Sequence, residues 1–367
     1  MLIFLTLTQK CQLSCKYCGS SENYDIEDLS PHPMEIAYDL SLLEKFQKEE
    51  DLIICLYGGE PLLKMRIFKK IFAILPNAKY VLQTNAILLN KLKNNDLHKM
   101  DTILVSVDGD EKTTDFNRGE GTYSKVIKNV NVIREKEFQG DVIARMTVSK
   151  ICDIYKSVQH LIGLGIFDHV HWQLDVLWDS DMNSRYGDFI KWRDEEYNPG
   201  ITKLAEWFAE ELKKGKVPGI VPFQGLLKSF LRDEKVTRIR CGAGSTSFNV
   251  TTGGLINVCP VAPEVDPICE IGEKDFTPKK LKDQDLIGGL CDECEVRQEC
   301  GGRCLYANKT MWWEEEGFKE VCVTVKHLIK VVHDIIEPVA KEMIEKEVLS
   351  LKDFLYPFYN NTCEIIP

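Results

Sequence analysis

The chain has 367 residues, and 46 basic against 57 acidic side chains give it a net charge of −11. This acidic balance gives no general support for nucleic-acid binding, and no stretch of sequence is typical of a membrane span or a secretory signal. Fourteen cysteines without a secretion signal predict a cytoplasmic protein whose clustered thiols hold metal rather than form disulfides.

Short apolar runs rich in β-forming residues alternate with helical patterns through the first half of the chain. Six strands are predicted, at 2–7, 52–57, 80–84, 102–107, 142–148 and 169–174. Apolar residues spaced three to four apart predict helical segments over 34–50, 65–75, 122–137 and 154–165. Because strand–helix repetition implies parallel, right-handed crossovers, we expect an α/β fold in which residues 1–174 form a partial (β/α)6 TIM-like barrel.

The pattern changes after residue 174, and three further regions are predicted. Residues 175–240 are interpreted as a bridging helical segment, with an amphipathic helix over 201–215. Residues 241–322 are rich in Cys and Gly, as expected where metal replaces an apolar core. Residues 323–367 are predicted to form a C-terminal helix and tail, with Pro338 kinking or dividing the helix.

Three cysteines follow the first predicted strand in the segment CQLSCKYC: Cys11, Cys15 and Cys18. Three thiolates are one too few for a tetrahedral zinc site or a fully ligated iron–sulfur cube, so a fourth position stays open for a small molecule. Active residues of β/α barrels gather at the carboxyl ends of strands, which favours a catalytic role. The alternative is a zinc knuckle that lacks one ligand.

The spacing Cys-x3-Cys-x2-Cys, with the aromatic Tyr17 before its last cysteine, resembles the signature of the radical S-adenosylmethionine (SAM) superfamily. The resemblance implies that the three thiolates bind a 4Fe–4S cluster, beside which Tyr17 borders the bound SAM. It also implies reductive cleavage of SAM to methionine and a 5′-deoxyadenosyl radical, which abstracts a hydrogen atom. An external one-electron reductant of the flavodoxin or ferredoxin type is implied as the partner in that step.

The segment YGGEP, which follows the second predicted strand, contains Gly58, Gly59 and Glu60. Consecutive glycines let the backbone approach a ligand closely, and a glutamate accepts hydrogen bonds from an ammonium group. The segment resembles the glycine–glycine–glutamate motif of the same superfamily. The resemblance implies that it holds the methionine amino group of SAM.

Polar residues at the ends of later predicted strands resemble further SAM contacts of the superfamily. The expected contacts are Asn85, Ser106 and Asp108, with Arg118 and Arg145 as cations that neutralise the SAM carboxylate. For either arginine, a surface ion pair is the alternative. A protein that only carried electrons would need none of these groups, which disfavours a non-catalytic scaffold.

Seven cysteines in the last third of the chain match the spacing of the SPASM domain, a C-terminal extension of radical SAM enzymes that modify peptides and proteins. The resemblance implies two auxiliary 4Fe–4S clusters, and three clusters in all. The first would be held by Cys241, Cys259 and Cys304, and the second by Cys291, Cys294, Cys300 and Cys322. The first is then either open at one iron or completed by Cys269. A structural zinc site is the competing interpretation.

The resemblance to SPASM enzymes implies radical modification of a peptide or protein residue, with a thioether or other crosslink, an epimerisation or an oxidation as the product. Anaerobic sulfatase maturases carry an aspartate base directly after the second SPASM cysteine, where this chain has Pro260, so that branch is disfavoured. Many peptide maturases carry an N-terminal wing that binds a leader peptide, and we expect none before Cys11. A radical SAM enzyme that acts on a small metabolite and a non-catalytic iron–sulfur or zinc scaffold stay open as alternatives.

Overall fold

The computed structural model describes residues 1–18, 32–175, 181–183, 187–261, 266–281 and 286–354. Nine strands in these ranges form one sheet: β1 Leu2–Thr6, β2 Ile53–Tyr57, β3 Lys79–Thr84, β4 Thr102–Ser106, β5 Asp141–Val148, β6 His169–Leu174, β7 Ser247–Val250, β8 Leu255–Asn257 and β9 Pro267–Glu270. Their order across the sheet is β6-β5-β4-β3-β2-β1-β7-β8-β9.

The six strands predicted in the first half are confirmed, each with ends within one residue of the predicted ends. All neighbouring pairs from β1 to β6 are parallel, as the alternation with helices requires. The chain therefore has an α/β fold with a parallel sheet typical of a partial barrel.

Helices cover one face of this sheet and extend into the second half of the described chain. The α-helices are α1 Met65–Ile74, α2 Asn94–Leu97, α3 Glu111–Arg118, α4 Thr122–Glu135, α5 Ile154–Gly163, α6 Phe189–Trp192, α7 Asn198–Lys213, α8 Val221–Leu231, α9 Arg297–Cys300, α10 Leu305–Thr310, α11 Glu314–Val331 and α12 Glu337–Glu345. Short 3₁₀ helices cover Leu40–Phe46, Pro61–Lys64, Leu89–Lys91, Pro278–Lys280, Gly289–Cys291 and Leu351–Phe354. No helix among the described residues is long and apolar enough to span a bilayer.

The helical segment expected over 34–50 is a 3₁₀ helix over Leu40–Phe46 rather than an α-helix. The side chain of Asp39 caps it by accepting a hydrogen bond from the Ser41 N–H. Its two buried residues, Leu43 and Phe46, are three positions apart. That spacing suits the three-residue period of a 3₁₀ helix, so the apolar pattern alone did not distinguish the two helix types.

Two π-helical turns, Arg193–Tyr197 and Val332–Ile336, each precede a helix whose second residue is a proline. A proline lacks an N–H and crowds the carbonyl of the preceding turn, and the wider π-turn relieves this conflict. A π-turn interrupts the α-helix just before Pro338, where a kink or division was predicted, and the backbone stays helical through it. The helical run begins at Glu314, nine residues before the predicted start at 323, so that Cys322 lies on α11.

Strands β7 to β9 were not predicted, and they continue the sheet past the partial barrel. β7 pairs with β1 in parallel, and β8 and β9 follow as antiparallel neighbours. The cysteine-rich region is therefore joined to β1 by backbone hydrogen bonds. These strands have only three or four residues, too few to show a period-two pattern.

The inner face of the sheet, opposite α1 to α5, changes from apolar to polar along the strand direction. An apolar cluster fills its lower part and contains Leu2, Phe4, Cys55, Val81, Leu104, Ile143 and Val221. Side chains two positions apart share a face of a strand. The layer at the carboxyl ends, two residues further along five strands, therefore consists of Thr6, Tyr57, Gln83, Ser106 and Arg145. We call these five residues the polar layer.

Candidate functional site

The segment that leads from β1 to the cysteines packs directly against the two glycines after β2. The Gly59 N–H donates a hydrogen bond to the Thr8 carbonyl at 2.8 Å. A Cβ at Gly58, where φ is +134°, would lie 2.3 Å from the same carbonyl oxygen. A Cβ at Gly59 would lie 2.5 Å from the carbonyl oxygens of Gln9 and Lys10. Only glycine permits this approach, so both residues help to set the path of the cysteine loop, residues 11–18.

Glu60 ties the end of β2 to the end of β3. Its carboxylate accepts hydrogen bonds from the Leu62 N–H at 2.9 Å, the Thr84 hydroxyl at 2.8 Å and the Asn85 N–H at 2.8 Å. The side chain is 0% exposed, and burial raises its pKa to about 7 against the opposing effect of these three donors. Its contact with the methionine amino group stays a prediction.

Asn85 follows β3 and contacts the first cysteine of the loop. Its Nδ2 lies 3.5 Å from the Cys11 sulfur, and the Leu13 N–H donates to the same sulfur at 3.4 Å. Burial raises the pKa of Cys11, and these two donors lower it. Because N–H donors favour the thiolate, they favour the form of cysteine that binds metal.

The three cysteines of the loop lie within electrostatic reach of one another. The Cys18 N–H donates to the Cys15 carbonyl at 3.0 Å, which folds the second half of the loop into a turn. Burial raises the pKa of Cys15 to about 11; the Arg118 cation opposes the rise, and Cys18 and Cys11 add to it. Bound iron would reverse this rise, because a metal deprotonates the thiols that coordinate it.

Tyr17, Asp108 and Arg118 are brought together in one buried cluster. The Tyr17 hydroxyl donates to Asp108 Oδ2 at 2.7 Å. Arg118 donates from Nε to Oδ2 at 2.9 Å and from Nη2 to Oδ1 at 2.8 Å. Its guanidinium carbon lies 5.3 Å from the centre of the Tyr17 ring. The expected alternative of a surface ion pair does not describe this arginine, since Arg118 is 6% exposed and Asp108 is 0% exposed.

Arg145 lies in the polar layer beside Ser106, its register partner on β4. Its guanidinium donates from Nη1 to Nδ1 of His171 at 3.1 Å and from Nη2 to Oε1 of Gln173. Sequence reasoning missed both β6 residues. The signal was a polar residue at every second position of the strand, at 169, 171 and 173.

Four cysteines of the last third lie close enough for their charges to act on one another. Burial raises the pKa of Cys322 to about 11, and the charges of Cys300, Cys291 and Cys294 add to the rise. The Asn308 side chain donates to the Cys291 sulfur at 3.6 Å. These are the four cysteines that the SPASM resemblance assigns to the second auxiliary cluster.

The other cysteines that the structure describes in this region occupy three different surroundings. Burial raises the pKa of Cys241 to about 12, and the charge of Cys304 adds to the rise, so these two are neighbours. Cys259 lies close enough to Tyr57 of the polar layer for the two charges to interact. Burial raises the pKa of the Tyr57 phenol, and the charges of Cys259 and Cys18 raise it further. Cys259 therefore lies on the side of the sheet that also faces the cysteine loop.

Cys269 lies on β9 opposite Ile256 of β8. Burial raises its pKa, and the charged groups that act on it are the side chains of Glu273, Lys280, Glu270 and Lys45. Among the described residues, no contact joins it to Cys241 or Cys304. Its role as a cluster ligand stays a prediction.

The three thiols of the cysteine loop are a donor set of the kind that holds an iron–sulfur cube. In the ranges that the structure describes, no three His, Cys, Asp or Glu side chains converge on one metal ion, and no cysteine forms a disulfide. A cube spreads its thiolate ligands over separate irons, so they stand further apart than around a single ion. The loop of Cys11, Cys15 and Cys18, with N–H donors at one sulfur, is compatible with such a cube.

Solved structures with similar folds include native anSMEcpe with bound AdoMet, at a TM-score of 0.73 and 17% identity, covering 94% of this chain and 100% of that chain. The same protein with AdoMet and the Cp18Cys peptide gives a TM-score of 0.73 at 18% identity, over 93% and 99% of the two chains. Streptococcus suis SuiB bound to S-adenosylmethionine gives 0.57 at 17% identity, over 84% and 74%. These likenesses show the fold alone.

Two curated relatives are AdoMet-dependent heme synthases. The protein from Methanosarcina barkeri is 23% identical over 352 residues, which cover 86% of this chain and 95% of the relative. The protein from Nitratidesulfovibrio vulgaris is 22% identical over 336 residues, which cover 82% of this chain and 86% of the relative. Residues 5–151 match the sequence profile of the Radical SAM superfamily. Together with the parallel sheet and the cysteine loop after β1, this match identifies a radical SAM domain in the chain.

Proposed function

We propose that the chain is a radical SAM enzyme that abstracts a hydrogen atom from a residue of a peptide or protein substrate and so begins a post-translational modification. The observation that carries the proposal is the position of the cysteine loop. It lies after β1 within a radical SAM domain, packed on the ends of β2, β3 and β4. This is the edge of a parallel sheet at which β/α enzymes bind their ligands.

Cys11, Cys15 and Cys18 are proposed as the ligands of the SAM-binding 4Fe–4S cluster. When bound, the cluster supplies the electron that cleaves SAM to methionine and a 5′-deoxyadenosyl radical. The chain's own residues bind and orient: the Gly58–Glu60 segment and Asn85 border the methionine end of SAM, and Ser106 lies beside them at the end of β4. The apolar cluster below the polar layer closes the barrel to water from beneath.

The cysteines of the last third are proposed to hold two auxiliary clusters of the SPASM type. One ligand set is proposed to be Cys291, Cys294, Cys300 and Cys322. It is supported by their closeness, since the charges of the first three raise the pKa of Cys322. The nearness of Cys241 to Cys304 supports the other set, which Cys259 completes to three thiolates. The first auxiliary cluster is proposed to keep one iron open, because the groups around Cys269 are charged side chains of Glu and Lys residues.

A peptide substrate is supported by two of the similar folds, which are solved with peptides: anSMEcpe with Cp18Cys, and SuiB with its precursor peptide SuiA. A second candidate is an AdoMet-dependent step in heme synthesis, which is favoured by relatives that this chain matches over 95% and 86% of their length. Both candidates use the same radical step. They differ in the molecule that enters the polar layer.

The test is anaerobic incubation of the iron-loaded protein with SAM and dithionite, which stands in for a flavodoxin- or ferredoxin-type reductant. We expect 5′-deoxyadenosine to form, and we expect its formation to disappear when Cys11, Cys15 and Cys18 are replaced by Ala. To distinguish the two candidates, the same assay is run with either a cysteine-containing peptide encoded beside the gene or an iron porphyrin that carries carboxylate side chains. The rate of 5′-deoxyadenosine formation is then compared. Stimulation by the porphyrin and not by the peptide would favour the heme-related function.

A further inference from the structure

Asp108 joins three elements of the domain at one buried carboxylate. It accepts hydrogen bonds from the Tyr17 hydroxyl in the cysteine loop, from Arg118 at the end of α3, and from the Thr147 N–H near the end of β5 at 3.0 Å. Asn117 Nδ2 also approaches Asp108 Oδ2, at 3.5 Å. From this convergence we infer that the Asp108–Arg118 pair positions the cysteine loop through Tyr17 and does not bind the SAM carboxylate. The inference rests on the proposed function, in which this loop holds the SAM-binding cluster.

One of the two forked edges of Arg118 is already used. Its Nε and Nη2 both donate to Asp108, and its planar group lies over the Tyr17 ring. A guanidinium recognises a carboxylate through such a pair of parallel N–H groups. Any movement of Arg118 toward SAM that released this fork would leave the Asp108 carboxylate buried without its cation, which is strongly unfavourable.

The last turn of α3 holds the loop at two successive residues. The Lys16 N–H donates to the Asn117 carbonyl at 2.9 Å, and the Lys16 ammonium lies 3.2 Å from the centre of the Phe116 ring. Tyr17 is held by Asp108 and Arg118, as described above. Lys16 and Tyr17 are the two residues between Cys15 and Cys18, so α3 sets the relative position of these two thiols.

Arg145 is the other cation that the family resemblance places at the SAM carboxylate. It lies in the polar layer beside Ser106, at the strand ends that face the cysteine loop. Its described side-chain contacts run to an imidazole nitrogen of His171 and an amide oxygen of Gln173. These contacts orient the guanidinium within the polar layer.

The variants Tyr17→Phe, Arg118→Lys and Arg145→Lys test the assignment, with Lys112→Gln as a control at an exposed cation of the same helix. Tyr17→Phe keeps the ring and removes only the hydroxyl that bonds Asp108. In metal-free protein, we expect faster amide hydrogen exchange across residues 11–18 in Tyr17→Phe and Arg118→Lys than in the control. This readout requires neither SAM nor a cluster.

In reconstituted protein, the same two variants should shift the electron paramagnetic resonance signal and the midpoint potential of the SAM-binding cluster, because both depend on the surroundings of the sulfurs. Their affinity for SAM should stay near that of the wild type. Arg145→Lys should weaken SAM binding about tenfold, since a forked contact becomes a point charge. Its cluster signal in the absence of SAM should be unchanged.

The inference is overturned if Tyr17→Phe matches the control in both exchange and cluster signal, or if Arg118→Lys weakens SAM binding as much as Arg145→Lys does. If the wild-type protein forms no SAM-binding cluster at all, the proposed function fails instead. The exchange measurement still reports on the positioning of the loop in that case, so the two failures are distinguishable.

Discussion

At the scale of single residues, the site depends on backbone contacts that only particular side chains permit. Gly58 and Gly59 let the loop after β2 lie against residues 8–10, and Glu60 then turns its carboxylate back to the end of β3. The cysteine loop therefore rests on a support of close backbone contacts and hydrogen bonds.

Replacing Gly58 by Ala should destabilise the metal-free protein far more than a glycine substitution that meets no neighbour. The backbone conformation at φ +134° costs an alanine about 1–3 kcal/mol, and the new Cβ would in addition overlap the Thr8 carbonyl at 2.3 Å. Gly165→Ala is the matched control, because its φ is also positive, at +64°, and no atom lies within 4 Å of the added Cβ. Urea unfolding measures the loss of unfolding free energy in both variants. Equal losses would contradict the close approach of Gly58 to the Thr8 carbonyl.

Glu60 should make the stability of the metal-free protein depend on pH. Burial raises its pKa from 4.5 to about 7, so the folded chain binds this proton more tightly than the unfolded chain does. Stability should therefore fall as pH rises from 4.5 to 7 and level off above, with a span of about 3 kcal/mol from this group. The difference in unfolding free energy between wild type and Glu60→Gln, measured at intervals across this range, isolates the effect. A constant difference would show that the carboxylate titrates normally.

At the scale of elements, helices that carry no predicted SAM contact hold the second half of the described chain together. α7 and α11 are joined by His327, whose Nε2 lies 2.9 Å from both the Thr202 hydroxyl and the Asn198 carbonyl oxygen. α11 also carries Cys322, one of the cysteines proposed for the second auxiliary cluster. A change that loosens α11 from α7 is therefore expected to reach that cysteine.

His327 should make the contact between α7 and α11 less stable as the pH falls, which is the opposite of the trend expected from Glu60. Burial lowers the pKa of this imidazole below 6.5, so the folded chain binds the proton less tightly than the unfolded chain does. The stability that it contributes is present above pH 6.5 and is lost as the pH falls through the lowered pKa. His327→Gln should remove that loss, whereas His333→Gln, at a largely exposed imidazole, should keep it. Thermal unfolding of the three proteins between pH 5 and 8 tests this, and parallel curves would contradict it.

The parallel strands and several of the helices could be predicted from sequence because their signals are local. An apolar run or a repeat of three to four residues is visible within one element. The pairing of Asp108 with Arg118 was not predicted, since only tertiary folding turns α3 back onto the end of β4. Strands β7 to β9 were missed because each has four residues or fewer, and β7 is recognisable only through its partner β1.

At the scale of the whole molecule, one sheet carries both cysteine regions. β1 leads into the cysteine loop, and its neighbour β7 leads through β8 to Cys259. The charges of Cys18 and Cys259 both reach Tyr57, so the proposed SAM-binding cluster and the first auxiliary cluster face the same polar layer. A substrate in that layer would therefore lie between the two.

Iron content should follow the three proposed ligand sets. Anaerobically reconstituted wild-type protein should bind roughly twelve irons, the sum of three four-iron cubes. Replacing Cys11, Cys15 and Cys18 by Ala should lower this to about eight, and replacing Cys291, Cys294, Cys300 and Cys322 should do the same. Metal analysis together with iron–sulfur absorption measures the change. Stoichiometric zinc with little iron would contradict the assignment of all three sites.

Cys269→Ala should leave the iron content unchanged, whereas Cys304→Ala should remove the first auxiliary cluster. In the β8–β9 pair, Cys269 stands opposite Ile256, and the charges around it come from Glu273, Lys280, Glu270 and Lys45. No contact within the described part of the chain joins it to Cys241 or Cys304, so we expect it to stay in the strand pair. The first auxiliary cluster would then keep an iron open to a substrate thiol, which would lose its proton on binding as coordinating thiols do. Iron content and the absorption spectrum of both variants decide the question. Loss of about four irons in Cys269→Ala would make this residue the fourth ligand and close that iron to substrate.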